Sequence, residues 1–281
     1  MINNEIKIGF FGTPDYAVTA LGILKNAGFN ISFLVTMPDR PRGRKMLMTP
    51  PEAKVWAIEN GVDVYQPEKL NDESLIDTLK KYDCDVFVVL AYGKIIPDSI
   101  LNIPKHKSLN IHGSLLPKYR GSCPIETAIL SDDKNTGVCI IKMDSEMDHG
   151  PIVASRNVKV ESWPPTAQVL GNAIVTTGAE LMVEILPDWV LGKIVPTEQD
   201  HSQASYTKKI QKEDGLIDLN DDDYKNFLKI QAYNEWPSAF FFKDGKRIKI
   251  TKACYVDGKL IIEKVIPEGK NEVDFKTISL Q

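Results

Sequence analysis

Short apolar runs of strand length recur through the first two thirds of the chain, separated by stretches with apolar residues at helical spacing. Residues 6–12 carry Ile6, Ile8, Phe10 and Phe11, and comparable runs lie at 31–36, 62–65, 86–90, 109–112 and 137–143. Runs of this length bounded by turn formers predict buried strands. After the first run, Ala17, Ala20, Leu21 and Leu24 keep helical spacing until Gly28. Thr13-Pro14-Asp15 predicts how that helix starts, with Thr13 as N-cap, Pro14 at the first helical position and Asp15 facing the positive end of the dipole. Further helices are expected over 51–60, 72–81 and 166–186, and a further strand over 151–160. Strands alternating with helices build βαβ units, so the expected fold is α/β, a Rossmann-like, doubly wound, mostly parallel sheet.

The texture changes after Leu191. Residues 192–205 have no periodicity and are rich in polar side chains, which predicts a linker. One helix is expected over 222–232, followed by short strands. Asp244-Gly245 and Asp257-Gly258 each sit between strand-forming residues, a strong hairpin signal. The expected organisation is a catalytic domain over 1–191, a linker over 192–205 and a small C-terminal β-barrel of the oligonucleotide-binding (OB-like) type over 206–281. No apolar run approaches the roughly 18 residues of a membrane span, so no membrane partner is expected. The first five residues lead straight into a strand, which leaves no signal peptide to be expected.

Charge refines this picture more than composition does. The net charge of -4 excludes a surface that is basic all round, yet a local patch is enough to hold phosphates. Residues 38–50 form a loop without core pattern, and Arg40, Arg42, Arg44 and Lys45 put four cations on it. A solvated surface loop and a nucleic-acid contact are both open readings of that loop. The same holds for Lys243, Lys246, Arg247, Lys249 and Lys252 near the first hairpin. The four cysteines (Cys84, Cys123, Cys139, Cys254) form no CxxC pair, so free thiols and no metal are expected.

Open parallel sheets bind ligands outside the carboxyl ends of their strands. The run over 109–112 ends there with Asn110 and His112, which point to one face because side chains alternate along a strand. The run over 137–143 leads into Asp144-Ser145-Glu146-Met147-Asp148-His149-Gly150, which is expected to bring Asp148 to the same rim. Amide, imidazole and carboxylate together suit acyl transfer to an amine. Asn110 and a protonated His112 could donate to the oxyanion of a tetrahedral intermediate. Asp148 could hold the imidazole or, through a water, take the proton that the ammonium sheds. Taken alone, the Asn-x-His pair is a weak signal, because a lone strand histidine is more often structural.

A longer pattern resolves that ambiguity. Asn110-Ile111-His112-Gly113-Ser114-Leu115-Leu116-Pro117 with Arg120-Gly121 resembles the signature of the formyltetrahydrofolate-dependent formyltransferases. Met147-Asp148-His149-Gly150 resembles the Leu-Asp-Thr-Gly element of that family, and the likeness covers nearly the whole chain. It includes Phe11-Gly12-Thr13-Pro14-Asp15, Pro38-Asp39-Arg40-Pro41-Arg42-Gly43-Arg44, Val89-Leu90-Ala91-Tyr92-Gly93-Lys94 and Tyr206-Thr207-Lys208-Lys209-Ile210. The resemblance implies Asn110, His112 and Asp148 as the catalytic set. It implies Ser114, Leu115, Leu116 and Pro117, with Ala91, Tyr92 and Gly93, as the folate site. It also implies 10-formyltetrahydrofolate as co-substrate without a metal, and entry of Arg40, Arg42, Arg44 and Lys45 into the acceptor arm of initiator methionyl-tRNA. A cytoplasmic monomer is expected. An amino sugar carried on a nucleotide, or water, are the alternative acceptors. The chain departs from the pattern at His149, where the family usually carries Thr, at Cys123, which replaces a small residue, and in a shorter C-terminal domain.

Overall fold

The computed structural model describes residues 3–43 and 45–279. The chain forms two compact units. The first comprises Met1–Arg120, Gly137–Val158 and Ile174–Ser205; the second comprises Gly121–Thr136, Lys159–Ala173 and Tyr206–Gln281.

Elements follow in the order β1 (Lys7–Gly12), α1 (Asp15–Asn26), β2 (Asn30–Val35), β3 (Arg40–Arg42), β4 (Leu47–Thr49), α2 (Glu52–Glu59), β5 (Asp63–Tyr65), α3 (Glu73–Lys81), β6 (Val86–Leu90), α4 (Asp98–Leu101) and β7 (Ser108–His112). Then come α5 (Pro124–Leu130), β8 (Gly137–Lys142), β9 (Ile152–Asn157) and α6 (Ala167–Val190). The central sheet of the first unit has the order β5-β2-β1-β6-β7-β8-β9. Its strands from β5 to β7 run parallel, β8 runs antiparallel to both of its neighbours, and β9 runs in the direction of the parallel set. This is the mostly parallel α/β sheet that the alternating pattern predicts.

One face of that sheet is an aromatic core in which Phe11, Phe33 and Phe87 meet edge to face or tilted, at 5.3 to 6.2 Å between ring centres. Gly9 makes room for it, since a Cβ there would lie 2.4 Å from Phe33 and 2.7 Å from Phe87. Leu75 and Leu79 of α3 and Ile100 and Leu101 of α4 close this core. On the opposite face α6 approaches β7 and β8 at Gly178, where a Cβ would lie 2.6 Å from Ile111 and 2.8 Å from Val138. Although no unbroken apolar run nears membrane length, α6 is long enough and, at a mean hydropathy of 1.4 over 18 of its residues, apolar enough to cross a membrane by length and composition. Its Ile174, Val175, Ala179, Met182 and Leu186 are instead buried in the protein.

Two expectations need correction. The first helix starts at Asp15, with Pro14 at the cap position and no side-chain cap. Thr13 donates its hydroxyl to the Tyr92 carbonyl at 2.8 Å, so it ties the end of β1 to the end of β6. The stretch over 38–50 is not a bare loop, because β3 and β4 pair as an antiparallel hairpin. The helices α4 and α5, four and seven residues long, went unpredicted because so short a segment shows little periodicity.

In the second unit α7 (Asp223–Ala232) precedes β10 (Phe240–Lys243), β11 (Lys246–Val256), β12 (Lys259–Pro267), β13 (Val273–Asp274) and α8 (Lys276–Ser279). This is the expected small β domain. Its four strands form an antiparallel meander, and Leu216 adds a parallel bridge to Phe240. Both Asp-Gly turns fall where predicted, with Asp244 and Asp257 at φ near +50° and the following Gly245 and Gly258 also left-handed. Ile230, Phe241, Ile248, Ile250 and Val265 form its core, and α5 packs on α7.

Candidate active site

His112 ends β7 almost fully buried, at 5% exposure. Its Nδ1 lies 3.5 Å from the Asp148 carboxylate, and its Nε2 lies 3.0 Å from the Tyr119 carbonyl. The Tyr119 carbonyl thus accepts a hydrogen from Nε2, while Nδ1 faces a carboxylate that stands beyond the usual length of an N–H···O bond. Asn110 sits two positions earlier, half-buried and on the same face of β7. Its side chain forms no hydrogen bond among the described residues.

Asp148 reaches His112 by a route other than the expected one. Because β8 is antiparallel to β7, with Leu109 opposite Lys142 and His112 opposite Cys139, the end of β8 is the edge remote from His112. The connection over 143–151 folds back over the sheet to deliver the carboxylate. A tight return fixes it, since a Cβ on Gly150 would sit 1.9 Å from the Lys142 carbonyl. Asp148 is left-handed, at φ 49°. Ala91 and Tyr119, at φ 49° and 60°, share this conformation, and all three lie on segments that leave β6, β7 or β8. Such positions cost about 1–3 kcal/mol each and gather at functional sites, where the surroundings over-determine them.

The expected folate residues lie on two of these segments. Ser114, 1% exposed, donates to the Lys118 carbonyl at 2.5 Å and closes the turn after His112. Leu115 is half-buried, Leu116 packs on Cys139 and Ile141, and Pro117 follows a cis bond. Ala91 and Gly93 are exposed, but the Tyr92 ring turns into the core against Phe11, so only its backbone faces the strand end. Burial pushes its hydroxyl up to about 12. Cys139, opposite His112, is likewise pushed up by burial, to about 11, which keeps it a thiol and unsuited as a nucleophile.

Sequence reasoning missed the residues that hold the site together. Arg120, 1% exposed, donates from Nε and Nη2 to Gln199 Oε1 at 3.2 and 2.7 Å. Gln199 donates its amide to the Asp148 and Gly150 carbonyls at 2.9 and 2.7 Å. Ser205 accepts the Tyr119 and Arg120 amides and donates to the Pro117 carbonyl. Residues 199–205 thus brace both His112, through Tyr119, and Asp148. They lie about 80 positions from Arg120, too far for any local pattern to reveal.

Of the basic positions, Arg44 lies outside the described residues. Arg40, Arg42 and Lys45 are exposed on the β3–β4 hairpin, and Arg42 pairs with Glu52. Met46, Leu47 and Met48, each about two-thirds exposed, stand at and beside its tip. At its root the Lys54 ammonium, aided by the Gln66 amide, holds the Asp39 carboxyl below its ordinary value. Among the described residues no cluster of His, Cys, Asp and Glu could hold a metal ion.

The family profile described as formyl transferase matches residues 6–186, and the formyl transferase C-terminal domain matches residues 209–277. The chain belongs to the formyl transferase family. Among relatives of this formyl transferase is a methionyl-tRNA formyltransferase of Chloroflexus aggregans, 44% identical over 89% of this chain and 80% of that protein. A solved methionyl-tRNA formyltransferase from Clostridium thermocellum shares the fold, with a TM-score of 0.64 and 19% identity over 96% of this chain and 99% of that one. So does an N-formyltransferase of Helicobacter canadensis solved with folinic acid and dTDP-3-aminofucose, with a TM-score of 0.64 and 19% identity over 90% of this chain and 88% of that one.

Proposed function

We propose that this formyl transferase moves the formyl group of 10-formyltetrahydrofolate onto the α-amine of initiator methionyl-tRNA. The observation that carries the acceptor is 44% identity with a methionyl-tRNA formyltransferase over most of both chains. A folate-derived donor fits the family and the folinic acid bound by the Helicobacter relative. The neutral amine attacks the formyl carbon, and electrons move onto the formyl oxygen. The Asn110 amide and the Nδ1–H of a protonated His112, whose Nε2 is held by the Tyr119 carbonyl, donate to that oxyanion. Asp148 takes the proton shed by the attacking nitrogen, directly or through a water. The tetrahedral carbon then collapses, the bond to folate N10 breaks, and tetrahydrofolate leaves with a proton. No residue of the protein is acylated and no metal takes part.

Ser114 to Pro117 and the backbone of residues 91–93 line the folate side. Arg40, Arg42, Arg44 and Lys45 meet the acceptor arm. Residues 1–191 carry the chemistry, 192–205 link them to the rest while 199–205 also brace the site, and 206–281 contact tRNA, in a cytoplasmic monomer. Incubation with 10-formyltetrahydrofolate and one acceptor at a time tests the reading. Formylmethionyl-tRNA as the main product is expected. A formylated amino sugar nucleotide, or formate alone, would contradict it.

A further inference from the structure

Two histidines beside the site have no part in this mechanism. The ring of His149 lies flat on that of His201, with centroids 4.1 Å apart and planes within 3°. His149 Nδ1 is 2.8 Å from the Asp144 carboxylate, and His201 Nδ1 is 2.8 Å from Arg120 Nη2. A guanidinium has only donors, so His201 Nδ1 must accept, and the ring is neutral with its hydrogen on Nε2. A carboxylate only accepts, so His149 carries a hydrogen on Nδ1. The pair lays a ring bonded to an anion on a ring bonded to a cation.

The consequence lies further inward. Arg120 Nη2, which donates to His201, also donates to Gln199 Oε1. Gln199, 5% exposed, spends its amide on the carbonyls of Asp148 and Gly150. The left-handed Asp148 is therefore at one end of a hydrogen-bond chain whose outer end is His201. A reacting group displaced by about 1 Å can cost on the order of 10²-fold in rate, so control of this backbone bears on turnover.

We infer that His201 is a positioning residue for formyl transfer: its neutral ring, held flat by His149, orients the Arg120–Gln199 pair that fixes Asp148 against His112. This rests on the reading of Asp148 as the proton acceptor. The inference also gives His149 a purpose, since the threonine usual in the family has no ring to stack on His201.

The test compares His201→Ala with His201→Asn, whose side-chain oxygen can stand in for the accepting Nδ1. His201→Ala is expected to lower kcat about 10-fold or more and to change KM for either substrate less than about 2-fold. His201→Asn is expected to recover most of that loss. An unchanged kcat in His201→Ala, or an equal loss in both variants, would overturn the inference. Imidazole ¹⁵N shifts of the wild-type protein supply a readout that does not depend on activity or on the folding of a variant. They are expected to show His201 as the neutral Nε2–H tautomer at pH 7, and a hydrogen on Nδ1 would overturn the chain. Wild-type inactivity toward every acceptor would count against the functional reading instead, and the shifts would still decide whether His201 accepts from Arg120.

Discussion

His112 stands between the Asp148 carboxylate and the Tyr119 carbonyl, and its bond to that carbonyl sets how the ring faces Asp148. Asp148→Asn keeps the shape but cannot accept a proton, and it should lower kcat on the order of 10²-fold with little change in folate KM. Near wild-type turnover would rule out the proton role. Since Asn110, His112 and Asp148 act on one intermediate, Asn110→Ala combined with Asp148→Asn should lose much less than the product of the single losses. Away from the site, Glu126 lines a cavity of about 290 Å³ with Cys123, Glu235 and Trp236. Burial, with the nearby Glu235 charge, holds its carboxyl above the ordinary value. The folded state thus binds this proton more tightly than the unfolded chain, and stability falls as pH rises through that raised value. Glu126→Gln should therefore raise Tm at pH 7, and the gain should vanish below about pH 4, under the unfolded pKa. A gain independent of pH would contradict this.

At the scale of elements, packing sets what the sequence can reveal. The parallel strands were legible because β6, buried on both faces, reads as an unbroken apolar run, Val86-Phe87-Val88-Val89-Leu90. The direction of β8 was not legible, since the same apolar run suits either direction. Asp148 lies near His112 through a return over the sheet, not through the end of β8, and no local pattern shows that return. The bracing of Arg120 by Gln199 was hidden by its separation of 79 positions. Gly178→Val tests how closely α6 must approach β7. It should lower stability by about 1–3 kcal/mol and Tm with it, and an unchanged Tm would refute the tight contact. The β3–β4 hairpin tests recognition. Arg40→Ala or Lys45→Ala should raise KM for methionyl-tRNA and spare a small methionine ester. For a phosphate contact, the slope of log K against log salt should flatten by about 1. An equal loss on both acceptors would exclude a role for the hairpin in tRNA binding.

For the whole molecule, chain order and compact units do not coincide. The chain passes from one unit to the other five times, at 120/121, 136/137, 158/159, 173/174 and 205/206. A fragment of residues 206–281 leaves behind α5, on which α7 packs, and Asp132, which accepts from Tyr224 at 3.0 Å. Expressed alone it should show no cooperative melting by circular dichroism, and a sharp transition would contradict that. The account as a whole depends on His112, because Asn110, Asp148 and the bracing segment are all read through it. Its most direct test is single-turnover formation of formylmethionyl-tRNA from 10-formyltetrahydrofolate by the wild type and by His112→Ala, with both substrates saturating. The account predicts a rate constant lower by on the order of 10²- to 10³-fold in the variant, with folate still bound. Equal rate constants in the two proteins would contradict it.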